Sequence, residues 1–147
     1  MQPSQQAGPR FLIDNSVWQR QNKPAVKAAL TTLLLANSPH AVLLCPPVAA
    51  EVGFSARGSA DHDVVRAALA AFPDCNINPS SALVLELQNS LFKAGLFRAV
   101  GAIDTVIAAY AIVNNATVVH YDSDFEYVAQ IHPNFRQQWI VPRGSTD

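Results

Sequence analysis

Five acidic side chains interrupt stretches of this sequence that are otherwise apolar. Asp14 follows Phe11-Leu12-Ile13, Glu51 lies within Val48-Ala49-Ala50-Glu51-Val52, and Asp104 lies within Gly101–Ala111. Asp122 and Asp124 follow Thr117-Val118-Val119-His120. A charge held in apolar surroundings is costly unless it is paired. Each acid has a local explanation. Asp14, Asp104, Asp122 and Asp124 suit helix starts, where free N–H groups and the positive end of the helix favour a carboxylate. Glu51 suits the solvated side of a helix. Gathered in one place, the same acids do something else. Two like charges about 4 Å apart repel by roughly 4 kcal/mol at an effective dielectric near 20. Protons or a cation must then intervene. An oxygen-only ligand set favours Mg2+ or Mn2+ over zinc. Such a site polarises a phosphodiester and lowers the pKa of a bound water, which is the chemistry of phosphodiester hydrolysis. Whether one ion or two are held stays open.

Those acids are positioned by short apolar strands that alternate with helices. Strands are expected at 10–13, 41–45, 75–77, 117–120 and 139–141. A helix is expected over 24–36, opened by Pro24 and lined by Val26, Ala29, Leu30, Leu33 and Leu34, with Asn15 or Ser16 capping a shorter one before it. Further helices are expected from Pro46-Pro47 to about Ala56 and over 61–72, the latter with Val64, Val65, Ala68, Leu69 and Phe72 as its apolar side. Another runs from Pro79-Ser80-Ser81 to Gly95, and a short one covers 126–131. The central helix opens at Gly101 and carries Ile103, Ile107 and Ala111 in register. This alternation predicts an α/β fold, a three-layer α/β/α sandwich with a mostly parallel central sheet. Ligands of such sheets bind outside the carboxyl ends of the strands. Asp14 and Asp122 fall at that edge, and Glu51 lies on the helix leaving a third strand there. The alternation by itself does not assign Asp104 to the same edge.

Composition narrows the class. The chain has 147 residues, half of them hydrophobic, which suits one domain over 10–144 with tails at 1–9 and 145–147. Met1 to Arg10 is polar and lacks the apolar core of a signal peptide, and no apolar run approaches the roughly 20 residues of a membrane span. A cytoplasmic chain is expected. Cys45 and Cys75 then read as reduced and packed, and no CxxC or His/Cys cluster points to zinc. Neither GxGxxG nor GxxxxGK[ST] occurs. The net charge of −1 hides a partition: without the five acids, six acids remain against ten Lys and Arg, a balance of about +4. An acidic pit in a mildly basic surface suits a phosphate backbone.

The segments Leu12-Ile13-Asp14-Asn15-Ser16-Val17, Val48–Val52, Ile103-Asp104-Thr105-Val106-Ile107-Ala108-Ala109 and His120-Tyr121-Asp122-Ser123-Asp124-Phe125 resemble the PIN-domain nucleases. More narrowly, the chain looks like the VapC toxins of bacterial toxin–antitoxin pairs, from about Arg10 to Gly144. The resemblance implies an Mg2+- or Mn2+-dependent endoribonuclease. Asp14, Glu51, Asp104 and Asp122 match its acidic quartet, and Asp124 matches an additional acid and metal ligand. Ser16 matches a hydroxyl near the first Asp, with Asn15 beside it as a further accessory residue. His120 stands where many relatives carry Thr. The implied partners are an RNA such as a tRNA or rRNA loop, a small cognate antitoxin and a second copy in a homodimer; no membrane is implied. Arg57, Lys93 and Arg98 are candidates for gripping RNA phosphates, or are solvated surface charges. Trp18, Phe92, Leu96 and Phe97 are apolar residues beyond the expected core and candidates for the partner surfaces.

Two other possibilities remain. One is a PIN-like module that binds RNA or an antitoxin without cutting, which the fully acidic quartet argues against. The other is a phosphotransfer fold. A dehalogenase-like domain would want DxD where Asp14-Asn15-Ser16 stands, and a receiver would want Lys after its last strand, where only Arg143 follows Val141.

Overall fold

The computed structural model describes residues 8–146, so the N-terminal tail expected over 1–9 lies almost wholly outside the described residues. Four strands, β1 (Phe11–Ile13), β2 (Val42–Leu43), β3 (Thr117–His120) and β4 (Arg136–Trp139), form one sheet. Its spatial order is β2-β1-β3-β4 and every pairing is parallel. The chain starts in the middle, lays β2 to one side, then crosses to lay β3 and β4 on the other. The topological switch point therefore falls between β1 and β3.

Side-chain alternation along these strands fills two cores. Leu12 and Val118 face one layer, where they meet Val48 and Val52 of α3 (Pro46–Phe54), Leu91 of α5 (Ser81–Lys93), Ile107, Ala108 and Ala111 of α6 (Ala102–Val113), and Phe125 and Val128 of α7 (Asp124–Ile131). Phe11, Ile13 and Val119 face the other layer, against Val17 of α1 (Asn15–Trp18) and Val26 and Leu30 of α2 (Pro24–Ala36). Helices thus cover both faces of the sheet, the α/β/α order expected from the alternation. Cys45 and Cys75 are both free thiols. Burial pushes Cys45 up to about 12 and Cys75 up to about 11, so both stay protonated. Among the described residues no helix is long and apolar enough to cross a membrane.

Several elements differ from the sequence expectation. The second strand is only two residues long, because Cys45 already serves as the N-cap of α3. The expected strand at 75–77 reduces to a single bridge between Leu44 and Asp74. The last strand is not 139–141 but the polar Arg136–Trp139. It is an edge strand, with one neighbour and exposed alternate residues, so apolarity does not mark it. Ile140 and Val141 lie beyond it in the second core.

Helix α4 (Ser59–Leu69) ends earlier than expected and has no fully buried residue; Val64 is 67% exposed, while Val65 and Leu69 only rest against the first core. In α2 the apolar stripe is narrower than expected: Val26 and Leu30 are buried, but Leu34 is 41% exposed. In α6 the expected register is displaced. Ile103 is exposed, and the buried face runs through Thr105, Ile107, Ala108, Ala109, Tyr110 and Ala111. Trp18 and Leu96 rest against the cores, whereas Phe92 and Phe97 are exposed and stack on each other with centroids 4.4 Å apart.

Candidate metal centre

The site grows from the ends of the two central strands. The Asp14 N–H still donates to Val119 O across the β1–β3 pair at 2.9 Å. The chain then turns into α1, and Asp14 becomes its N-cap, with Oδ2 accepting from the Ser16 N–H at 3.0 Å. Ser16 Oγ in turn accepts from the Tyr121 N–H at 2.9 Å. That hydroxyl ties the start of α1 to the end of β3, at the switch point. Asp122 follows directly, and its Oδ1 accepts from the Asp124 N–H at 3.0 Å, where α7 begins. Glu51 comes from α3, a helix started by Pro46-Pro47 immediately past β2.

Asp104 reaches the same edge for a reason the connectivity supplies. Helix α6 ends in a tight turn, with Asn114 as C-cap and Asn115 at φ 54°, and feeds straight into β3. A helix that delivers its C-terminus to the start of a parallel strand begins, about 18 Å earlier for a 12-residue helix, beside that strand's carboxyl end. Asp104 sits in this first turn. It is not the cap: the N-cap position is Gly101, and no side chain caps the helix. Thr105 Oγ donates instead to Gly101 O at 2.9 Å.

The five carboxylates meet. One carboxylate oxygen each of Asp14, Glu51 and Asp104 lie within 4.8 Å of one another, and so do one each of Asp104, Asp122 and Asp124. Asp104 belongs to both groups. Burial first, then the charges of Asp14, Asp122, Glu51 and Asp124, push Asp104 up to about 8. Burial and the charges of Asp14 and Asp122 raise Glu51. Burial and Asp122 raise Asp124, against a hydrogen bond with Asp104 that lowers it.

The residues fit a divalent cation. Asp14 is only 4% exposed, and while its Oδ2 caps α1, its Oδ1 is buried and meets no hydrogen-bond donor among the described residues. A buried carboxylate oxygen without a donor calls for a positive partner. Capping and ligation are thus compatible in this residue, one oxygen for each. Asp122 Oδ1 likewise accepts a backbone amide, that of Asp124. All the donors are hard oxygens, the set that suits Mg2+ or Mn2+.

Other residues singled out in the sequence lie in different settings. Asn15 Oδ1 is buried beside Asp14 with no hydrogen-bond partner among the described residues. Arg57, Lys93 and Arg98 are exposed. The Arg57 backbone N–H donates to Asp61, and the Arg98 guanidinium lies over the Phe97 ring at 5.4 Å. A neighbour that sequence reasoning left without a role is His120, whose Nδ1 accepts from the Asp122 N–H at 3.1 Å. Its position two residues before a strand-end acid was the available signal. A cleft of about 840 Å³ between α3 and α4 is lined by residues such as Gly53, His62, Val65 and Leu69 and contains none of the five acids. The chemistry follows the switch-point edge, not cavity size.

Comparison with known proteins agrees with this geometry. The family model described as PIN domain matches residues 11–131. The chain is 34% identical over 139 residues to ribonuclease VapC51 of Mycobacterium tuberculosis, covering 94% of this chain and 98% of that protein. It is 30% identical to ribonuclease VapC18 of the same organism, covering 92% and 98%. Among solved structures, DNA-bound VapBC from Salmonella typhimurium superposes with a TM-score of 0.69 at 18% identity, over 91% of this chain and all of that one. The chain belongs to the PIN-domain family and, within it, to the VapC ribonucleases.

Proposed function

We propose that this protein is an Mg2+- or Mn2+-dependent endoribonuclease that acts as the toxin of a toxin–antitoxin pair. The observation that carries this is the position of Asp104, which offers a carboxylate oxygen within 4.8 Å of its neighbours' oxygens in both acidic groups at once. Asp14, Glu51, Asp104 and Asp122 would hold the ion, and Asp124 would add a fifth oxygen. When bound, the ion supplies charge to polarise a phosphodiester and to lower the pKa of the attacking water. The chain supplies the rest. Ser16 holds the ends of β1 and β3 in register by accepting the Tyr121 amide, and Asn15 sits beside Asp14 as an accessory group. Asp104, raised to about 8, holds a proton near neutral pH that would be given up on metal binding, and burial and neighbouring charge raise Glu51 and Asp124 in the same direction. Some of the exposed Arg57, Lys93 and Arg98 would hold RNA phosphates. The named ribonuclease relatives support RNA as the substrate, and the VapBC assembly supports a small antitoxin as partner. The exposed Phe92–Phe97 stack offers an apolar patch for that partner or for a second copy of the chain.

The test is Asp104→Asn. The variant should fold normally and lose metal-dependent RNA cleavage by about 100-fold or more, the scale of losing a key electrostatic group. Undiminished cleavage by a folded variant, purified free of host nucleases, would contradict the assignment.

A further inference from the structure

Both ring nitrogens of His120 are committed. The side chain is fully buried, with its ring between Phe125 and Trp139 at centroid distances of 5.2 and 4.9 Å. Nδ1 faces the backbone N–H of Asp122 at 3.1 Å. A backbone amide can only donate, so Nδ1 carries no proton. The neutral ring must then carry its proton on Nε2, which lies 2.5 Å from Gln137 Oε1. The orientation of Gln137 follows from the same logic. Turned over, its NH2 would face another N–H, and only one arrangement pairs a donor with an acceptor at both ends of the ring. Gln137 lies diagonally opposite on β4, where Val118 pairs with Gln137 and His120 with Trp139.

A histidine among carboxylates invites the role of general base or metal ligand. Either role needs a free ring nitrogen, and this ring has none. What it does hold is the peptide from which Asp122 projects. β3 ends at His120, so the Asp122 amide has left the ladder and finds its acceptor in the imidazole.

We infer that His120 is a positioning residue, a single-tautomer link from Gln137 Oε1 through the buried imidazole to the Asp122 amide that sets the direction of the Asp122 carboxylate in the acid cluster. This rests on the metal-dependent function proposed above. Groups that orient metal ligands typically contribute 10–100-fold in metal affinity.

The experiment combines direct Mn2+ binding with nitrogen-15 NMR of the imidazole in the full chain. Metal-free wild type should show His120 protonated at Nε2 and bare at Nδ1. His120→Leu, which cannot accept the amide, should weaken Mn2+ binding by about 10–100-fold. His120→Asn should restore most of that affinity, because its Oδ1 can occupy the place of Nδ1 and accept the same N–H. A role in packing alone predicts that the smaller, polar His120→Asn loses as much affinity as His120→Leu or more, and that result would overturn the proposal. So would wild-type affinity in a folded His120→Leu, or an Nδ1-protonated ring in the wild type. If His120→Leu does not fold, Gln137→Leu removes the acceptor that holds the ring in place and should itself weaken Mn2+ binding; wild-type affinity in a folded Gln137→Leu would also overturn the proposal. Failure of the wild type to bind Mn2+ would instead sink the metal centre, and the NMR tautomer alone would then decide for or against His120.

Discussion

Asp104 collects the unfavourable terms of the site. Burial and four neighbouring carboxylates raise it from 3.8 to about 8, so the folded, metal-free protein keeps its proton over a range where the unfolded chain has lost it. The sign follows from linkage: its contribution favours folding below about pH 4 and is lost progressively as pH rises to about 8, then stays level. Wild type should therefore lose stability relative to Asp104→Asn between pH 5 and pH 8, measured by urea unfolding in chelator. A wild-type-minus-variant difference that is flat across that range would show that Asp104 titrates normally. Taking the difference matters, because burial lowers His120, which acts in the opposite direction at the acid end. At this scale much of the site was legible: Asp14, Glu51, Asp104, Asp122 and Asp124 betray themselves as charges in apolar stretches. What the string of residues hides is pairing. The Asp14 oxygen without a donor and the doubly bonded His120 ring are products of chain crossing.

Among the elements, the α6–β3 connection does most to assemble the site. Asn114 closes it: the side chain donates to Tyr110 O and Ile77 O at 2.9 and 2.8 Å, and accepts from the Ile77 N–H at 3.1 Å. The residue is 4% exposed. Asn114→Ala should destabilise the fold by about 1–3 kcal/mol, because it removes three hydrogen bonds made by a buried side chain. Urea unfolding checks this, and a cost below about 0.5 kcal/mol, the scale of an ordinary surface substitution, would remove Asn114 from that role. The placement of Asp104 could have been read from this short connection, since a helix feeding a parallel strand begins at the strand's far end. Other elements resisted reading for identifiable reasons. β4 is polar because it is an edge, so hydrophobic runs pointed two or three residues too far along. α4 carries an apolar stripe that the described residues cover only in part, through Val65 and Leu69, so periodicity promised more of a core face than the fold uses. Ile103 looked like the first core residue of α6 and is exposed, because the helix presents Thr105 and Ile107 to the sheet instead.

For the whole molecule, the acidic switch-point edge contrasts with a surface that is otherwise mildly basic, a balance of about +4 once the five acids are set aside. If Lys93 and Arg98 contact the RNA backbone, replacing both with Ala should weaken binding and flatten its dependence on salt, by roughly one unit of slope per lost phosphate contact. Filter binding across a salt series measures this, and an unchanged slope would return both residues to the solvated surface. The claim on which everything else depends is that the carboxylates converge to hold a cation, and it can be tested without knowing the RNA. Unfolding separates the like charges, so in chelator at pH 8.5, above the folded value of about 8 for Asp104, Asp104→Asn should be more stable than wild type. The expected difference is about 1–2 kcal/mol, scaled from partly screened pairs. Millimolar Mg2+ should then stabilise wild type in proportion to ln(1 + [L]/Kd) and the variant much less. Thermal unfolding of the two proteins, with chelator and with Mg2+, is the most direct measurement. Metal that raises the wild-type Tm and leaves the variant nearly unmoved is the result predicted; metal that stabilises both equally, or neither, would contradict the convergent site.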